Sequence, residues 1–211
     1  MEDTKDMTTK ERILAASIDL FANYGFKDVS MREIATHVGI KASSLYKHYE
    51  SKEAILDQIF AMFKEKIAKA VIPKQELTEN IAAVTPQKFL NESFEQFKLV
   101  MWNPDIVKIA KIITREQQRN QSVRQLFVQE LVEKPTAILQ QIFDQMVQNK
   151  LIEGMDTRVL AEEYTGYIVC LYFQQNFLSE SIDLNEIDRK MKQHNDFFAR
   201  HILIQKGVNH Q

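Results

Sequence analysis

The chain has one cysteine, Cys170, which leaves no internal disulfide to form and suits a reducing compartment. Five glycines and four prolines are too few for a loop-rich or fibrous protein, and they fall where helix ends are expected. No apolar run approaches the roughly 20 residues that a membrane-spanning helix needs, so no membrane partner is expected. The opening MEDTKDMTTKER is acidic and polar, unlike a signal peptide, and a cytoplasmic protein is the resulting expectation. Enzyme signatures are missing too: there is no Gly-rich phosphate loop, no Ser-centred nucleophile elbow and no His pair at metal-ligand spacing. His194 and His201 fit surface or interface positions on one helix, and Cys170, inside an apolar run, reads as an inert filler. No catalysis, cofactor or metal is therefore expected. An excess of positive charge is also lacking: the formal net charge is −2, so any contact with nucleic acid must come from a local patch of donors.

What is present is helical patterning. With 45% hydrophobic and 27% charged residues over 211 positions, the chain can bury an ample core. Thr8 with Glu11 makes a capping box for a first helix, which Gly25 ends. Ser51 caps a helix running to about Val71, ahead of Pro73, and the polar stretch from Lys74 to Thr85 reads as a loop. Thr85-Pro86 and Asn103-Pro104 each pair an N-cap with proline at the first helical position. Ser122 with Gln125 suggests another capping box, opening a helical pattern to Asn149 that Pro135 either kinks or divides, and Gly154 closes the segment. Asp156 or Thr157 and Asp183 start the last two helices, which reach about Ser179 and Lys206. The expected class is all-α.

The most informative stretch is SMREIATHVGIKASSLYKHYESK, Ser30 to Lys52. Ser30 and Glu33 form a capping box, and Met31, Ile34, Ala35 and Val38 recur on one helical face. Gly39 supplies the positive φ of a sharp exit, and Ile40 plugs the corner. The next helix has one inward anchor, Leu45, among small, polar or basic residues. Helix, Gly turn and donor-rich helix is the arrangement that places a recognition helix in the DNA major groove. Together with Leu20, Phe21 and Gly25 before it and SKEAIL (Ser51 to Leu56) after it, this stretch resembles the DNA-binding domain of the TetR family of transcriptional regulators. The resemblance covers Ile13 to Leu56. It implies a helix-turn-helix DNA-binding domain over residues 1–52 and a larger helical effector-binding and dimerisation domain over residues 53–211.

Ser30 and Lys52 sit at helix N-termini, where backbone N–H groups favour an anion, so both are expected at phosphates. Tyr46 and His48 match family positions that reach phosphates. Lys41, Ala42, Ser43, Ser44 and Lys47 are left as candidates for base edges. Arg32 is expected to pair with a carboxylate inside the module. With no arginine in the recognition helix, readout depends in part on DNA shape.

In the larger domain the resemblance implies a pocket for a small hydrophobic or amphipathic effector, with Phe94, Phe97, Met101, Trp102, Tyr164 and Tyr167 as candidate lining residues. Ordinary core packing is the alternative use for each of them. Tyr167 to Phe173, YIVCLYF, is apolar on every side and calls for cover on more than one side. The rest of this chain can supply that cover, but a homodimer through a four-helix bundle, with Leu171, Phe197, Phe198 and Ile202 at the interface, explains the excess better, and the resemblance implies such an interface. The helix from Ser51 to Val71 is expected to be the only rigid link between the domains. The function expected from these readings is a dimeric repressor of a palindromic double-stranded operator, released by the effector. The alternatives are an activator, or a helical DNA-binding protein controlled by a protein partner.

Overall fold

In a computed structural model of the chain, which describes residues 7–70, 81–83, 85–118, 120–153 and 155–202, every regular element among the described residues is helical. The chain forms two compact units, Met1–Ala68 with Val100–Phe127 and Lys69–Leu99 with Val128–Gln211.

The first unit begins with α1 (Thr9–Tyr24), where the Thr8 backbone N–H donates to Glu11 at 2.7 Å and Thr8 Oγ1 accepts the Glu11 N–H at 3.3 Å. Gly25, at φ +92°, turns the chain out of α1, and its N–H closes on the Phe21 carbonyl. Helix α2 (Met31–Val38) buries Met31, Ile34, Ala35 and Val38, the face that the sequence spacing predicts. Gly39 is left-handed, as the turn requires, and leads to α3 (Ala42–Tyr46) and then α4 (Lys52–Ala70). Ile13, Phe21, Ile34, Leu45, Ile55, Ile59 and Phe63 are fully buried and form the centre of this unit. Burying each such side chain contributes about 1.5–3 kcal/mol.

A further helix of this unit was not expected there. Helix α6 (Pro104–Glu116) comes from the segment assigned to the larger domain, yet it lies against α1. Its apolar face buries Ile106, Ile109, Ile112 and Ile113, Lys108 pairs with Asp19, and Arg115 donates to the Ala22 carbonyl at 2.7 Å. Helix α6 is thus grouped with the DNA-binding module in the first unit. Asn103 caps α6.

The second unit takes most of α5 (Pro86–Met101), capped by Thr85, together with α8 (Lys134–Gln148), α9 (Thr157–Phe173) and α10 (Leu184–Ile202). Ile81–Ala83 forms a 3-10 turn within the stretch read as a loop, and residues 71–80 of that stretch lie outside the described residues. Helix α7 (Gln121–Val128) starts earlier than expected. Asn120, not Ser122, is its cap: Asn120 Oδ1 accepts the N–H groups of Ser122 at 3.0 Å and Val123 at 3.3 Å. Pro135 does not divide the helix that follows. A π turn, Gln129–Glu133, continues α7 into α8, and the Lys134 N–H reaches back to the Gln129 carbonyl. That wider turn relieves the clash a proline ring makes with the preceding turn. Gly154 lies outside the described residues; α8 ends at Gln148, close to the expected Asn149, and Lys150 follows with φ +56°. The Leu151 N–H closes on the Met146 carbonyl at 2.9 Å around it, a Schellman-type stop built without glycine.

A polar chain, buried at Tyr164 and Asn195 and ending at the exposed Asn91, joins three helices of this unit. Tyr164 Oη donates to Asn195 Oδ1, and Asn195 Nδ2 donates to Asn91 Oδ1, both at 2.8 Å. Beside it, His194 stacks on Tyr167 with ring centres 4.0 Å apart and packs against Tyr164 and Phe198. Burial pulls the His194 imidazole down to about 4 from an ordinary 6.5.

Two outcomes follow from this geometry. Lys150→Gly removes the left-handed strain and raises stability in denaturant melts by about 1 kcal/mol. His194 takes up a proton in the unfolded chain below pH 6.5 but in the folded chain only near 4, so its neutral burial supports folding above that window and costs stability as pH falls through it. His194→Phe therefore flattens the melting-temperature profile between those two pH values.

Candidate nucleic-acid interface

The recognition segment is built on Leu45, which is fully buried while the residues around it turn outward. Lys41, Ser43, Lys47 and His48 are exposed, Tyr46 is 54% exposed, and Ala42 and Ser44 are half-buried. Tyr49 turns back into the core, with Lys10 over its ring and no partner for its hydroxyl. A rod of one turn and a half, with donors on three sides and a single apolar contact beneath, has the shape needed to enter a groove.

Two of the expected phosphate contacts are otherwise engaged. Ser30 Oγ donates to Glu33 at 2.7 Å and accepts the Glu33 N–H at 3.2 Å, so its hydroxyl is committed within the capping box. The Ser30 hydroxyl and N–H hold the Glu33 carboxyl below its ordinary range, and that carboxylate takes the place at the α2 N-terminus that a phosphate was expected to fill. Lys52 is corrected as well. Its ammonium donates to the carbonyls of Phe26 at 2.5 Å, Val29 at 2.8 Å and Lys27 at 3.3 Å, with the Phe26 ring 4.4 Å away. Three donors on three carbonyls leave none for a phosphate.

The expectation for Arg32 is reversed. Its side chain is exposed on α2, and no carboxylate among the described residues pairs with it, so the guanidinium is available to solvent or DNA. The adjacent carboxylate, Glu33, is instead held by Ser30. Arg12 is the internal arginine, donating to the Val38 carbonyl at 2.6 Å, where α2 ends at the turn.

The candidate effector residues divide between the two units. Met101 and Trp102 belong to the first, and Phe94, Phe97, Tyr164 and Tyr167 to the second. Phe94, Met101 and Tyr164 are buried, and Phe97 and Trp102 are half-buried. Tyr167 opens onto a surface groove of about 470 Å³, lined by Glu162, Glu163, Gly166, His194, Phe197 and Phe198 as well. Of the expected interface residues, Leu171 and Phe198 are covered by their own unit, at 3% and 7% exposure, and are corrected to core. Phe197 is 58% exposed, and the Ile202 side chain lies outside the described residues. Cys170 is exposed beside this groove-bearing face, not an inert core filler. No helix among the described residues is long and apolar enough to cross a membrane.

Comparison with known proteins agrees with this arrangement. Residues 13–59 match the model for bacterial regulatory proteins of the tetR family. The HTH-type transcriptional regulator YerO of Bacillus subtilis (strain 168) is 33% identical over 93 residues, which are 42% of this chain and 31% of that relative's length. The match thus spans under a third of that relative. A TetR-family transcriptional regulator of Mesorhizobium loti MAFF303099 superposes with a TM-score of 0.70 at 17% identity, over 93% of this chain and 97% of that one. The flavonoid-responsive regulator FrrA superposes with a TM-score of 0.61 at 21% identity, over 93% of this chain and 98% of its own. These relatives and neighbours are transcriptional regulators and not enzymes. The DNA-binding module, residues 13–59, thus belongs to the tetR family, and the all-helical architecture has the fold of TetR-family transcriptional regulators along nearly its whole length.

Proposed function

We propose that the protein is a dimeric repressor that binds a palindromic double-stranded operator through residues 1–52 and is released by a small hydrophobic or amphipathic effector bound within residues 53–211. The observation that carries this reading is the exposed donor set on one buried anchor, Leu45. Arg32, Tyr46 and His48 serve phosphates; Lys41, Ala42, Ser43, Ser44 and Lys47 face base edges. Two subunits hold their recognition helices about 34–36 Å apart to meet successive major grooves. The exposed apolar face of α9 and α10, with Tyr167 and Phe197, is the surface that a second copy covers. FrrA is named for its response to flavonoids, which supports an effector with an aromatic, amphipathic body for this fold. An effector that favours one position of α4 over another depletes the DNA-competent state by its difference in affinity for the two.

The test is selection of bound fragments from random duplex DNA, followed by footprinting of the enriched sequence. Recovery of an inverted repeat with half-sites one helical turn apart is expected; uniform binding without enrichment sinks the operator reading. Arg32→Ala lowers the slope of log affinity against log salt by about 0.9 per site on every sequence. Lys41→Ala instead costs about 1–3 kcal/mol on the preferred sequence and relaxes choice at one base pair. Phe197→Asp leaves a folded chain that sediments as a monomer, and a persistent dimer in that variant places the interface elsewhere.

A further inference from the structure

Lys52 is the first residue of α4, and the carbonyls that surround its ammonium belong to the loop between α1 and α2, 23 to 26 residues away. These carbonyls converge because Gly25, at φ +92°, turns the chain so that Phe26, Lys27 and Val29 present their oxygens to one point. The Phe26 ring lies 4.4 Å from the ammonium and closes a further side, and that ring packs edge-on against Phe21 in the core. The ammonium is half-buried, with each of its three protons on an oxygen. Val29 is buried and immediately precedes Ser30, the cap of α2, so the oxygen at 2.8 Å fixes where α2 begins. Glu33, on the first turn of α2, also feels the Lys52 charge.

We infer that Lys52 is a positioning residue: its ammonium locks the α1–α2 loop onto the start of α4, so that α2 and α3 hold the orientation needed for DNA while the ammonium itself reaches no phosphate. The geometry supports this over a mixed role. Reaching a phosphate would withdraw the ammonium from three oxygens at once and leave the Phe26 and Val29 carbonyls without a donor beside apolar side chains. The lock joins the loop to α4, so a shift of α4 along its axis pulls directly on the α2 cap.

The inference about DNA rests on the operator-binding reading above; the lock itself does not, and the test separates them. The variants are Lys52→Met, which keeps the stem over Phe26 but loses the three bonds, and Lys52→Arg, which restores donors to the carbonyls. Amide hydrogen exchange on the full chain is the first readout. In Lys52→Met the amides of residues 26–33 exchange about tenfold faster, while those of α6 keep their rates, and Lys52→Arg recovers most of the protection. Unchanged exchange in Lys52→Met overturns the lock whether or not the chain binds DNA. Salt-dependent operator binding is the second readout, made at a temperature where circular dichroism shows the variant folded. Affinity falls about tenfold in Lys52→Met with the salt slope unaltered. A slope lowered by about 0.9, with exchange unaffected, makes Lys52 a phosphate contact and refutes the assignment. Lys52→Met at wild-type affinity refutes the orienting role.

Discussion

The DNA-binding unit depends on basic side chains that satisfy backbone carbonyls. Its helices are short: α2 has eight residues and α3 five, so most of their peptide groups lie within a turn of an end and lack a helical partner. Arg12 supplies a donor to the Val38 carbonyl at the end of α2, and in the same way Lys52 serves Phe26 and Val29 in the α1–α2 loop and Arg115 serves Ala22 in the last turn of α1. A hydrogen bond from a charged donor contributes about 1.5–3 kcal/mol, comparable to burying a large apolar side chain. α1 has no basic residue in its own last turn, and Arg115 brings one to that end of the dipole from α6. Removing any one of these cations leaves an orphan carbonyl where a helix must turn.

This division of labour explains how a chain of net charge −2 presents a surface suited to DNA. Counting cations does not locate the interface, because several of those in the module are internal ties. What matters is which ones keep free donors. Arg32, Lys41, Lys47 and His48 do so on α2, on α3 and at the end of α3, while Arg12 and Lys52 do not. Glu33, held by the Ser30 cap, removes one candidate anion site, and the Ser30 hydrogen bonds favour its ionised form.

Features with local causes were legible in the sequence. The Thr8–Glu11 and Ser30–Glu33 boxes, the Gly39 turn, the Leu45 anchor and the proline starts at Pro86 and Pro104 each follow from residues three or four apart. The ties that orient the module were not, because they join residues 23 to 93 apart and leave no periodic signal. Lys52 illustrates the limit: a lysine at a helix N-terminus suits a phosphate on general grounds, and only the path of the Gly25–Val29 loop shows that carbonyls reach it first. Local signals also competed. Asn120 displaced Ser122 because an asparagine two residues upstream could serve two N–H groups at once. Lys150 stands in the left-handed position for which a glycine was sought at Gly154, because the closing bond from Leu151 to Met146 outweighs its strain. Apolar periodicity, for its part, says that Leu171 and Phe198 are covered but not by which chain.

A buried asparagine sets which face of α10 is left exposed in the second unit. Asn195 is 2% exposed, and its two bonds, from Tyr164 Oη and to Asn91 Oδ1, fix the rotation of α10 about its axis. Ile187, Met191 and Phe198 lie four or three residues from one another or from Asn195 and turn inward with it. Phe197 is two residues from Asn195, about 200° around the helix, and so must face out. Had α10 been held by apolar contacts alone, a rotation of one residue would exchange Phe197 and Phe198 at modest cost, since both are phenylalanine. A buried asparagine forbids that exchange, because the rotation would strip three polar atoms of their partners in a dry interior. The exposed ring is thus a consequence of the polar chain beneath it, and the face that carries Tyr167 and Phe197 is specified from inside the unit before any second copy meets it.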